Sequence, residues 1–141
     1  MKIAVIDGQG GGIGKALVEQ IKARFGNTHE IIALGTNSLA TSSMIKAGAH
    51  KGATGENAIV KTSGKADIIT GVIGIIAADS MMGELTSKMA CAIASSGALK
   101  ILIPMDKCMI EVAGMDKSIT IQGLIRDVCD KISRLCPEET K

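Results

Sequence analysis

Between Asp7 and Lys15 the chain reads Asp-Gly-Gln-Gly-Gly-Gly-Ile-Gly-Lys, with five glycines in the seven positions from Gly8 to Gly14. Glycine frees the backbone to turn tightly and lets its N–H groups come close to a ligand. Where such a turn joins a strand to a helix, the unpaired N–H groups of the first helical turn and the helix dipole together attract a phosphate. The candidate binding residues are therefore Gly8, Gln9, Gly10, Gly11, Gly12, Ile13, Gly14 and Lys15. Gly8 permits the tight turn, Gly12 the close approach of phosphate oxygens and Gly14 the contact of helix with sheet, while Lys15 adds a point charge. Asp7, Asp106, Lys107 and Cys108 are the side chains in reach that offer an acid, a base or a nucleophile. Neither histidine joins them: His29 precedes the second strand, at the opposite edge, and His50 stands alone.

Read as G-x-x-x-G-x-G through Gly8, Gly12 and Gly14, the turn resembles the cofactor turn of short-chain dehydrogenases. That likeness stops at the turn, because their tyrosine and lysine pair cannot exist in a chain with no tyrosine. The turn also resembles the phosphate loop of ParA- and MinD-like ATPases, but Ala16 stands where the magnesium-binding hydroxyl belongs, which disfavours an NTPase. An NAD site calls for an acidic residue at the end of the second strand to hold the ribose. Gly35-Thr36-Asn37-Ser38 stands there instead. Thr36 and Asn37 are therefore candidates for a 2′-phosphate, so NADP or another phosphate-bearing nucleotide is permitted, although no arginine accompanies them.

These residues need elements to position them. Ile3 to Ile6 is a short apolar run of the kind that forms a central parallel strand buried on both faces. Ile13, Leu17, Ile21 and Phe25 then recur at helical spacing up to Gly26. Strands are expected at Ile31 to Leu34, Ala49 to Ala53, Ile68 to Ile76 and Ile101 to Ile103. Helices are expected after Ser38, after Thr54, over Thr86 to Ser96 and from Ile121 to Leu135. Only Pro104 to Lys107 separates the fifth strand from the alternating Cys108, Ile110 and Val112, too short for a parallel crossover, so that run is expected as an antiparallel edge strand. The sum is an α/β three-layer Rossmann-like sandwich with a mostly parallel sheet, a single domain over residues 1–136 with a fraying tail from Pro137 to Lys141. Ligands of such sheets sit beyond the carboxyl ends of the strands. Thr54 to Asn57 and Gly71 to Gly74 would flank that crevice, the latter as a side-chain-free surface for a base or sugar.

Composition narrows the function. At 141 residues the chain buries roughly two-thirds of its unfolded surface. A formal charge of +2 without a basic cluster argues against nucleic acid. The longest apolar stretches are broken by glycine and fall short of a membrane span. Cys91, Cys108, Cys129 and Cys136 share no metal-ligand spacing, and no signal-peptide pattern begins the chain, so a cytoplasmic protein is expected.

Asp7 to Lys15, Gly52 to Val60 (GATGENAIV) and Gly71 to Ile76 resemble a family of small uncharacterised bacterial Rossmann-like proteins of unknown function. The resemblance covers nearly the whole chain and implies a self-contained bacterial cytoplasmic domain. It assigns no functional residue. The leading expectation is a nucleotide- or dinucleotide-binding protein whose partner is a small-molecule nucleotide or phosphometabolite. Its rivals are a small enzyme acting on a phosphorylated or CoA-linked metabolite, and an interaction domain forming a homodimer.

Overall fold

The computed structural model describes residues 1–105 and 109–136. Its elements alternate: β1 (Lys2–Asp7), α1 (Gly12–Phe25), β2 (Glu30–Gly35), α2 (Ser38–Lys46), β3 (Lys51–Thr54), α3 (Glu56–Ser63), β4 (Ile68–Val72), α4 (Ser87–Ser95), β5 (Leu99–Ile103) and α5 (Ile121–Leu135). The five strands pair in the order β3-β2-β1-β4-β5, all parallel. The order turns back at β1, so the crevice between the tips of β1 and β4 is the topological switch point where ligands of such sheets collect.

Alternation along β1 divides the core into two layers. Ile3 and Val5 point to the side covered by α1, α2 and α5, among Leu17, Ile21, Met44 and Ile132. Ala4 and Ile6 point to the other side, under α3 and α4, with Ile59, Ile75, Met89 and Ile93. Every residue of Ile3 to Ile6 is fully buried, which is why that run carries no polar residue. This is the three-layer Rossmann-like sandwich, and none of its helices among the described residues is long and apolar enough to cross a membrane.

The expected antiparallel edge strand is not formed. Residues 109–120 contain no strand, and β5 is the sheet edge. Alternation makes a strand only where one face finds apolar cover. Here Val112, one of the alternating residues, is 44% exposed. Local turns take up the backbone instead: Met115 N–H donates to Val112 C=O, and the Asp116 carboxylate accepts from the Ser118 N–H and hydroxyl.

The strand expected as far as Ile76 ends at Val72, and Ile73–Ile76 is a 3-10 turn. Gly71 is fixed by packing and not by a ligand, since a Cβ there would stand 2.5 Å from the Ile6 carbonyl oxygen. Gly71 and Gly74 are both buried, so they offer no surface for a base or sugar. Helix starts also differ in their caps. Asn37, not Ser38, caps α2 by accepting the Ala40 N–H at 2.9 Å, and Gly55, not Thr54, precedes α3.

Gly71→Ala is expected to cost about 1–3 kcal/mol, because the clash is with backbone that cannot rotate away. Gly64→Ala, with nothing within 4 Å of its added Cβ, should stay within about 0.5 kcal/mol of the parent. Urea unfolding midpoints of the two variants check the contrast.

Candidate functional site

Asp7 is the last residue of β1, pairs in register with Gly35 of β2 and is 7% exposed. Its Oδ1 accepts the Gly8 N–H at 2.8 Å and its Oδ2 the Gly14 N–H at 2.6 Å. One carboxylate thus clasps both ends of the glycine turn. The clasp explains Gly14: a Cβ there would stand 2.8 Å from Asp7 Oδ2 and 2.7 Å from Met44 Sδ. The expected helix-to-sheet contact at Gly14 is present. Gly11 takes φ 72°, and a Cβ on it would lie 2.8 Å from Ala40 Cα of α2. A Cβ on Gly8 would meet Met81 Sδ and Thr36 Oγ1, each at 2.6 Å. The left-handed turn positions are Gln9 and Gly11, not Gly8.

Gly12 differs from these. It opens α1, and a Cβ there would touch nothing within 4 Å, so the space beside it is free. The Gly10, Gly12 and Ile13 N–H groups find no acceptor among the described residues. All three residues line a cavity of about 480 Å³ at the switch point. Asp7 closes the turn side of the cavity, and Val72, Met81, Met82 and Met105 form its apolar wall. Lys15 is not part of that lining. Its side chain is 56% exposed and faces Glu19 one helical turn on, with 3.9 Å between the charges.

A strap from Ala77 to Leu85 leaves the tip of β4 and crosses the carboxyl edge. Asp79, Met81 and Met82 all take left-handed φ values, uncommon for residues with side chains. Turn bonds hold it, with the Asp79 N–H on Leu85 C=O at 2.8 Å and the Ser80 hydroxyl on Gly74 C=O. Leu85 is fully buried. The strap ends by delivering Glu84 to the tip of β2. Glu84 Oε1 accepts from the Asn37 side-chain amide at 2.6 Å, the Thr36 hydroxyl at 2.9 Å and the Gln9 N–H at 3.0 Å. Thr36 and Asn37, the candidates for a 2′-phosphate, therefore lie beside the glycine turn with their donors engaged by a carboxylate that sequence reading missed. The available signal was an acidic residue in the loop after β4 combined with the absence of one at the tip of β2.

The two carboxylates titrate in opposite senses. Burial pushes Asp7 above its ordinary value, against the pull of the Gly14 and Gly8 N–H groups, and the negative charge of Glu84 adds to the rise. Glu84 is held below its ordinary value, first by the Asn37 amide, then by the Gln9 N–H.

The other expected groups lie elsewhere. Asp106, Lys107 and Cys108 fall outside the described residues. Glu56 ties α3 to α4 by accepting the Thr86 hydroxyl at 2.7 Å, and Thr54 pairs with the Thr41 hydroxyl at 2.7 Å. Both histidines sit at the opposite edge of the sheet: His29 beside the Met1 amine, and His50 accepting the Ile31 N–H. Among the described residues no group of three or more His, Cys, Asp or Glu could hold a metal ion.

Asp7→Asn is expected to destabilise the fold by about 1–3 kcal/mol, since the amide keeps one acceptor and turns an N–H toward the other buried donor. Chemical denaturation at neutral pH reads it. For Glu84, whose folded value is depressed from 4.5, the contribution to stability is full above that pH and is lost as pH falls through the folded value. The advantage of wild type over Glu84→Gln should therefore shrink on acidification, as urea titrations at neutral and acid pH would show. Asp7, raised from 3.8, acts oppositely: its contribution falls as pH rises from there through the folded value.

Neither the curated proteins nor the solved structures contain a significant match to the chain. One family does match, over residues 2–137, and this span is nearly the whole chain: the protein belongs to DUF3842, a domain of unknown function.

Proposed function

We propose that the protein binds a phosphate-bearing nucleotide, with the phosphate on the N–H groups of Gly10, Gly12 and Ile13 and a flat ring against the methionines of the cavity wall. The observation that carries this reading is the set of three N–H groups at the head of a 14-residue helix that find no acceptor among the described residues, all on residues lining one cavity. Oriented N–H groups and the dipole of a helix that long favour an anion. The volume, about 480 Å³, lies within the range of small-molecule sites. In a chain without tryptophan or tyrosine, the thioethers of Met81, Met82 and Met105 are the groups that supply soft contact to a ring. The open space beside Gly12 suits close approach by phosphate oxygens, whereas the crowding at Gly8, Gly11 and Gly14 serves the turn itself.

A second reading, self-association, is favoured by β5. Among the described residues it pairs only with β4, Leu99 on it is half exposed, and an apolar groove of about 550 Å³ runs between it and α5, with Lys100, Leu124 and Leu135 along its lining. An uncovered edge strand offers its free backbone groups to a second chain. Light scattering of wild type and Leu99→Lys should find a dimer that the added edge charge dissociates; a strictly monomeric wild type removes this reading without touching the first.

The nucleotide reading is tested by native mass spectrometry of freshly purified protein, followed by thermal-shift titration with NAD(H), NADP(H), ATP, GTP, FAD and CoA. At least one nucleotide should raise the melting temperature of wild type and leave Gly12→Asp unmoved, because the new carboxylate would fill the phosphate position with like charge. Stabilisation that survives Gly12→Asp, or silence from the whole panel, rejects the assignment.

A further inference from the structure

We propose that Glu84 reads the ribose of the bound nucleotide, selecting one with a free 2′,3′-diol over one with a 2′-phosphate. This rests on the nucleotide reading above and adds the class of ligand. The tip of β2 presents two donors, the Thr36 hydroxyl and the Asn37 amide, the glycine turn adds the Gln9 N–H, and all three point at Glu84 Oε1. A 2′-phosphate at this strand end would need those same donors. They are already paired, and the group holding them carries negative charge. No lysine or arginine among the described residues lies within ion-pair distance of Glu84 to offset a second anion.

The other carboxylate oxygen, Oε2, accepts no hydrogen bond from the described residues. An ionised carboxylate only accepts, a vicinal diol brings two O–H donors, and a phosphate dianion brings none. Oε2 is not buried, so the discrimination comes from exchanging its water for the O–H groups of the diol, an exchange a phosphate dianion cannot make. Gln9 links the two halves: its N–H holds Glu84, while Gln9 itself and the adjoining Gly10 to Ile13 line the cavity. Glu84 is not part of that lining and stands on the β2 side of Gln9, so it meets the ribose of a nucleotide that extends from the turn toward β2. The strap supplies the acidic group that β2 lacks.

Equilibrium binding of ADP-ribose and of its 2′-phosphorylated form to wild type, Glu84→Gln and Gly12→Asp tests this. Glu84→Gln keeps an oxygen for the three donors and replaces Oε2 with an amide, so the free position changes from acceptor to donor. Wild type should prefer ADP-ribose by about tenfold or more, the scale of one charge-assisted hydrogen bond. Glu84→Gln should lose most of that preference, and Gly12→Asp should bind neither probe. A parallel titration of wild type with 2′-deoxy-ADP-ribose needs no variant and should show a loss of about tenfold. Equal affinity for the deoxy probe, equal or tighter binding of the 2′-phosphate, or a preference unchanged in Glu84→Gln overturns the role of Glu84. If binding is nevertheless abolished by Gly12→Asp, the nucleotide reading stands without it. Binding of neither probe overturns the ribose assignment and leaves the nucleotide reading to the thermal-shift panel, whereas binding that survives Gly12→Asp overturns both.

Discussion

The clasp formed by Asp7 sets the geometry on which the crevice depends. Its two carboxylate oxygens take the N–H groups of Gly8 and Gly14, so the chain between them must return to the strand it has just left. That return fixes where α1 begins and brings its first turn against the tip of β1, where no Cβ fits at Gly14. On its outer side the turn is stopped by α2, whose Ala40 backbone excludes a side chain from Gly11. The clasp also limits the site. A carboxylate already occupies the third N–H of the helix, leaving the donors on Gly10, Gly12 and Ile13 for anything outside the chain. Asp7 opposes part of the attraction those donors exert on an anion.

How far these features were legible follows from their range. Ile3 to Ile6 and the α5 stripe from Ile121 to Leu135 write their environment locally: a strand covered on both faces must be apolar throughout, and a helix covered on one face must repeat. Gly14 was also readable, because a glycine between strand and helix has few other uses. Cys108, Ile110 and Val112 show the limit. Alternation specifies two faces but says nothing about what covers them, and Val112 is left exposed. Gly71 shows another limit, since a glycine near a ligand edge reads the same whether a ligand or the Ile6 carbonyl requires its missing side chain.

Glu84 was hidden for a different reason. It lies 48 residues from Thr36 and 75 from Gln9, and neither helical nor strand periodicity relates positions so far apart. Only the topology, which sends the loop after β4 across the tip of β1, brings them together. The three left-handed residues of the strap cost of order 1–3 kcal/mol each. Such a path persists where its two ends are held, the first by the Ala77 N–H and Ser80 hydroxyl on Gly74 C=O and the second by Leu85 in the core and Glu84 on its three donors.

The consequence is that the strap and the glycine turn form one mechanical unit. Withdrawing Glu84 leaves the Gln9 N–H and the Thr36 hydroxyl without their acceptor and the Asn37 amide with the Gln9 C=O alone, and it frees Met81 from the place where it covers Gly8. Met81 and Met82 also form part of the cavity wall, so the shape of the cavity and the position of the carboxylate change together. A ligand compatible with Glu84 in its present position keeps the wall intact. A ligand that needs the same donors must first open the strap, and the cost of exposing them counts against its affinity.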